Sequence, residues 1–171
     1  MKLRTIIVVI VAALLAGCAG ASASSTRDLS IHPADSGVIH LVIDSLNLTE
    51  KDLMAGYTFS EKSHIRSFQA NTYYESPGTF SPITGLIEQK SSQSIEGPNG
   101  DNGTILFLRF RGPFNGDGFI QGLIWGNGDG PTAENPEEIL IKDDMLVIIS
   151  FNKGSTMGGK IKEIMKRKMG L

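Results

Sequence analysis

The stretch "EEILIKDDMLVIISF", residues 137–151, sets the architecture. Two apolar runs, 137–142 and 145–151, are rich in isoleucine, and only Asp143 and Asp144 separate them. A two-residue acidic link between β-prone runs is a tight-hairpin signal, and a tight hairpin makes its two strands antiparallel.

Working outward, "TILFLRFR" at 104–111 is apolar on both faces until its end, which predicts a central strand. "GFIQGLIW" at 118–125 and "ITGLIEQK" at 83–90 predict two more. "AGYTFSE" at 55–61 and "IRSFQANTYY" at 65–74 are expected to pair across the polar link at Lys62-Ser63. "VIHLVI" at 38–43 places Ile39, Leu41 and Ile43 on one face of a further strand. Between strands, Thr49 is a candidate helix N-cap with Asp52 three residues on. A strand every roughly 10 to 15 residues predicts a β-rich α+β fold: an antiparallel sandwich or curved meander sheet, completed by a C-terminal amphipathic helix.

That helix is expected over about 157–169, where the period changes. Met157, Ile161, Ile164, Met165 and Met169 fall on one arc, while Lys160, Lys162, Lys166 and Arg167 project elsewhere. Gly158 and Gly159 weaken its first turn. The apolar arc is expected to cover a sheet face; the alternative is a helix lying on an anionic membrane surface.

Asn-Gly-Asp-Gly occurs twice within 113–130, and "PNGDNG" at 98–103 nearly repeats it. A calcium loop of the EF-hand type needs oxygen ligands at positions 1, 3 and 5, glycine at 6 and an acid at 12. Setting Asn127, Asp129 and Gly130 at positions 3, 5 and 6 puts Trp125 first and Pro136 last. The copy at Asn115 has Pro113 and Ile124 in those places, and the third runs from Gly97 to Leu108. All lack the terminal ligands, so these stretches read as turns and no metal site is expected. His32, His40 and His64 are scattered without metal-ligand spacing. No serine sits in a Gly-x-Ser-x-Gly elbow, no Walker sequence is present, and no cofactor is expected.

Two features could bind. The Gly- and Pro-rich loop 126–136 carries Asn127 and Asp129 beside Trp125, a candidate surface whose plainer reading is a connection with Trp125 in the core. Arg109 and Arg111, alternate residues of one strand, point the same way and could present two guanidinium groups to an anion. The plainer reading there is a solvated strand end with acidic neighbours across the sheet.

The first residues, "MKLRTIIVVIVAALLAGCAG", combine Lys2 and Arg4 with an apolar run from Ile6 to Ala16. That run is too short to span a bilayer comfortably, which takes about 20 residues, and fits a secretory signal. Leu15-Ala16-Gly17 then leads into Cys18, the chain's only cysteine. This segment resembles the lipobox of bacterial lipoproteins. The resemblance covers residues 1–18 and implies cleavage before Cys18, with acylation (palmitate among the chains) of its sulfur and amino group. Two or more acyl chains are what stable anchoring needs. Ala19 in place of Asp implies the outer membrane, facing the periplasm. Residues 1–17 are thus expected to be a signal peptide, 18–36 a lipidated flexible tether, and 37–171 a single β-rich domain ending in the basic helix.

Residues 19–152 hold 8 Lys and Arg against 17 Asp and Glu, whereas 153–171 hold 6 against Glu163 alone. An acidic body argues against nucleic acid as partner and weakly suits a basic protein. The expectation is a lipid-anchored envelope protein acting by macromolecular binding and not by catalysis. The alternatives are an inhibitor or immunity lipoprotein against a periplasm-acting hydrolase, and an envelope hydrolase whose site assembles from distant residues.

Overall fold

The computed structural model describes residues 42–126 and 129–171, all within one unit, Gly37–Leu171. Signal peptide, Cys18, tether, His32, His40, Asn127 and most of the 38–43 run lie outside the described residues.

Five strands form one antiparallel sheet: β1 (Thr58–Ser60), β2 (Ile87–Glu96), β3 (Gly103–Phe110), β4 (Glu138–Lys142) and β5 (Met145–Phe151), in the order β1-β2-β3-β5-β4. The hairpin read from residues 137–151 is present, with Lys142 opposite Met145 across the two aspartates. Asp143 adopts a left-handed φ of 52°, a conformation that Asp tolerates better than most residues. The carbonyls of this turn are anchored, Asp143 accepting from Phe114 N and Asp144 from Phe110 N, both at 2.8 Å. β1, β2 and β3 form a meander, and "PNGDNG" makes the tight link between β2 and β3.

β3 and β5 are buried along both faces, which divides the core in two. On one side Ile105, Phe107, Val147, Ile149 and Phe151 meet α5 (Thr156–Met169) and α1 (Ile43–Leu46). On the other side Leu106, Leu108, Phe110, Leu146 and Ile148 meet α2 (Phe68–Glu75) and α4 (Asp117–Trp125), with the short α3 (Ser81–Thr84) beside them. Helices therefore cover both faces, and the described residues contain no second sheet of a sandwich.

α5 packs as its periodicity predicts: Met157, Ile161, Ile164, Met165 and Met169 are all buried. Each such side chain contributes roughly 1.5–3 kcal/mol of transfer free energy. Its lysines tie down the chain beside it. Lys168 Nζ donates to the Asn47 carbonyl at 2.6 Å, and Lys160 Nζ to that of Leu53 at 3.3 Å. Gly158 has a packing reason, since a Cβ there would stand 2.8 Å from Phe151 Cβ.

Two strand expectations are corrected, and the strand expected over 83–90 begins only at Ile87, residues 83 and 84 belonging to the α3 turn. Residues 118–125 form a helix: Ile120 and Ile124 are one helical turn apart and fully buried, and Gln121 Nε2 donates to Asp117 Oδ1 at 2.6 Å. Residues 68–75 are helical because Ser67 caps the first turn, accepting from Ala70 N, and because Ala70 and Tyr73 share the inner face. β1 therefore pairs with β2, not with 65–74. Ile43 opens a helical turn that buries it with Leu46. The Thr49 cap survives on a single 3-10 turn, Glu50–Asp52, where the Asp52 carboxylate accepts from Thr49 N at 2.8 Å.

Candidate functional site: a cleft at the start of the C-terminal helix

β5 ends at Phe151, and the turn Asn152–Ser155 reverses the chain into α5. The Ser155 hydroxyl accepts from Gly158 N at 2.9 Å, the N-cap arrangement that satisfies an otherwise orphan donor. Gly158 and Gly159 bring no side chains to this end of the helix, and a gap lies between its first turn and Pro131 and Pro136. The gap is an open-sided cleft of about 630 Å3.

Pro131 and Pro136 line it opposite the helix, and beneath it Ile149 and Phe151, 1 % and 3 % exposed, close the floor as part of the first core. Lys153 reaches across to donate to the Pro131 carbonyl at 3.2 Å. Lys162 pairs with Glu138 at 2.9 Å, each about one-third exposed, and Glu163 stands beside them. What faces solvent is therefore a rim carrying both charges, Lys153 and Lys162 with Glu138 and Glu163, flanked by two prolines. The lining hydroxyl of Ser155 is committed to its cap. A second hollow, about 480 Å3, lies between the 3-10 turn at Glu50 and the edge of β1.

The remaining polar chemistry ties the segment 64–67 across the sheet. His64 N donates to Thr104 Oγ1 at 2.8 Å, Arg66 N to Ser150 Oγ at 2.7 Å, and Ser67 N to Glu137 Oε1 at 2.8 Å. Near the sheet edge Ser60 Oγ and His64 Nε2 each lie 2.9 Å from Glu96 Oε1. Those hydrogen bonds, Ser60 first and His64 next, hold the Glu96 carboxyl below its ordinary range. The order Ser60–Glu96–His64 puts the carboxylate in the middle. A nucleophilic triad needs the imidazole there, to take the hydroxyl proton. Among the described residues no three His, Cys, Asp or Glu gather as metal ligands.

The residues singled out from sequence are dispersed. Trp125 is half-buried on the second core, its Nε1 donating to the Glu137 carbonyl at 2.8 Å. Asp129 is exposed, two residues before the Pro131 that lines the cleft. The loop 126–136 thus supplies one wall while Trp125 anchors its start. Arg109 is committed to Asp144 at 3.3 Å and Glu88 at 3.4 Å. Arg111 lies past the strand end, exposed, its backbone N donating to the Leu86 carbonyl at 2.8 Å. Sequence reasoning missed Phe151, Lys153, Lys162 and Glu138; the available signal was the paired glycine at a helix start, which propensity alone disfavours.

No family model matches the chain, and neither does any curated protein or solved structure.

Proposed function

We propose that this chain is a lipid-anchored protein of the bacterial cell envelope, held through acylated Cys18 on the outer membrane and facing the periplasm. Its domain binds an envelope or secreted protein and performs no catalysis. The observation that carries the binding reading is the cleft: a rim of mixed charge beside the first turn of α5, faced by Pro131 and Pro136 of the Gly- and Pro-rich loop. The lipobox resemblance of residues 1–18 carries the anchoring.

The test is capture by the full-length protein in detergent, from envelope extract and culture supernatant, with and without Lys162→Glu and Lys153→Glu. A stoichiometric partner retained by the native chain and lost from the variants supports the reading. Equal retention by all three sinks the cleft as the binding surface. Cys18→Ser should release the protein from membranes and abolish processing before residue 18; an unchanged distribution removes the anchor.

The excess of 17 acidic over 8 basic residues across 19–152 supports a second reading, an inhibitor or immunity protein against a basic periplasm-acting hydrolase. Such a partner would be released by moderate salt. If the chain is instead an envelope hydrolase, activity would fall on His64→Ala or Glu96→Gln with the cleft intact.

A further inference from the structure

β4 is an edge strand: β5 pairs with one side of it, and no described strand pairs with the other. The pair closing a two-residue hairpin is hydrogen-bonded, so Lys142, Leu140 and Glu138 turn their backbone groups toward β5. By the same alternation Ile139 and Ile141 turn theirs outward.

An open edge is ordinarily blocked by its own charges or by bulges. Here the blocking is symmetric. Residues 138–142 read Glu-Ile-Leu-Ile-Lys, with opposite charges equidistant from Leu140. From this we infer that β4 pairs antiparallel with β4 of a second copy, about a two-fold axis through Leu140, joining two sheets into one.

In that register Glu138 faces Lys142 of the second copy and Lys142 faces its Glu138, on the side of α5. Ile139 faces Ile141 on the opposite side, and these two pairs use the outward backbone groups, giving four hydrogen bonds. Ile139 and Ile141 are only partly buried against the second core in a single chain, and pairing covers them further. A shift by two residues, the smallest that keeps outward backbone groups opposed, would put Glu138 or Lys142 against Leu140, leaving a charge against an apolar partner, so the charges select this register. The other open edge lacks the pattern. Beyond the three residues of β1, β2 presents Glu88, Gln89 and Lys90, with no apolar pair flanked by complementary charges. The side-chain partners of β4 do not prevent pairing: Glu138 and Lys162 lie at the surface, as does the contact of Lys142 Nζ with the Gly170 carbonyl.

The test uses the full chain in density-matched detergent, by sedimentation across a concentration series. The native chain should form a dimer. Glu138→Lys and Lys142→Glu each replace two attractive contacts with two repulsive ones, and should raise the dissociation constant roughly tenfold or more. The double reversal restores complementarity and should bring the constant back to within a few-fold of native. Register is read separately in a Cys18→Ser background: a mixture of Ile139→Cys and Ile141→Cys chains should oxidise to a mixed disulfide, because opposed residues lie about 5.5 Å apart at Cα, within disulfide reach. A chain that stays monomeric into the millimolar range overturns the inference. So does a dimer indifferent to the charge reversals, cross-linking equally within either cysteine variant alone, or an edge that takes up a strand of another protein while never pairing with itself.

Discussion

The Ser150 hydroxyl donates to Glu137 Oε1 at 2.9 Å, and both residues are fully buried. Ser150 in turn accepts from Arg66 N, and Glu137 from Ser67 N, so this one contact couples β5, the start of β4 and the segment leading into α2. Glu137→Leu would strip two buried donors of their acceptor and should cost about 2–4 kcal/mol. Glu137→Gln keeps an amide oxygen for the same donors and should cost less. Urea unfolding midpoints of the two variants check the order.

Phe151 separates two glycines. A Cβ on Gly103 would lie 2.3 Å from its ring, and one on Gly158 2.8 Å from its Cβ. Gly103→Ala should therefore destabilise by about 1–3 kcal/mol through overpacking. Gly159→Ala meets nothing within 4 Å and should stabilise α5 by up to ~1 kcal/mol. Thermal melts of the two variants should move in opposite directions.

Acid should weaken the fold through two carboxyls. Asp52 is held below its ordinary 3.8, chiefly by the backbone hydrogen bond from Thr49, and Glu96 below its ordinary 4.5 by Ser60 and His64. Because their folded values are depressed, the stability they contribute is complete above the ordinary values. It is lost as pH falls through the lower folded ones. Stability measured by denaturant from pH 6 downward should decline in that window, and Asp52→Asn with Glu96→Gln should flatten the decline.

Trp125 is the only tryptophan, so its emission reports the anchor of the cleft loop directly. Trp125→Phe retains most of the ring packing but orphans the Glu137 carbonyl, and should cost about 1 kcal/mol. Trp125→Ala should cost more, about 1.5–3 kcal/mol, as befits a half-buried ring packed on the second core. In the native protein the emission should shift to the red as the ring is wetted on unfolding.

The hairpin 138–151, the central strand 103–110 and the helix 156–169 were legible because each combines a strong periodicity with a clear local signal: two aspartates, a glycine-rich turn, a change of period. Residues 118–125 and 68–75 were not. Gly118 and Gly122 depress helix propensity, and Phe68, Thr72, Tyr73 and Tyr74 favour strands. What decides those segments is packing, as Ile120 and Ile124 meet the sheet on one helical face. Trp125 and the loop after it were visible as candidates, yet nothing local could reveal that the loop faces the first turn of α5.

By itself, the sequence determined the antiparallel pairing across Asp143-Asp144 and the buried stripe of α5, because both depend on residues within one or two turns of each other. Only the tertiary structure decided that helices cover both faces of the sheet, that Arg109 is occupied by Asp144 and Glu88, and that Glu137 meets Ser150 and Ser67. Those contacts join residues distant along the chain, and their energies depend on the exclusion of water from a core that does not exist until the sheet has closed against its helices.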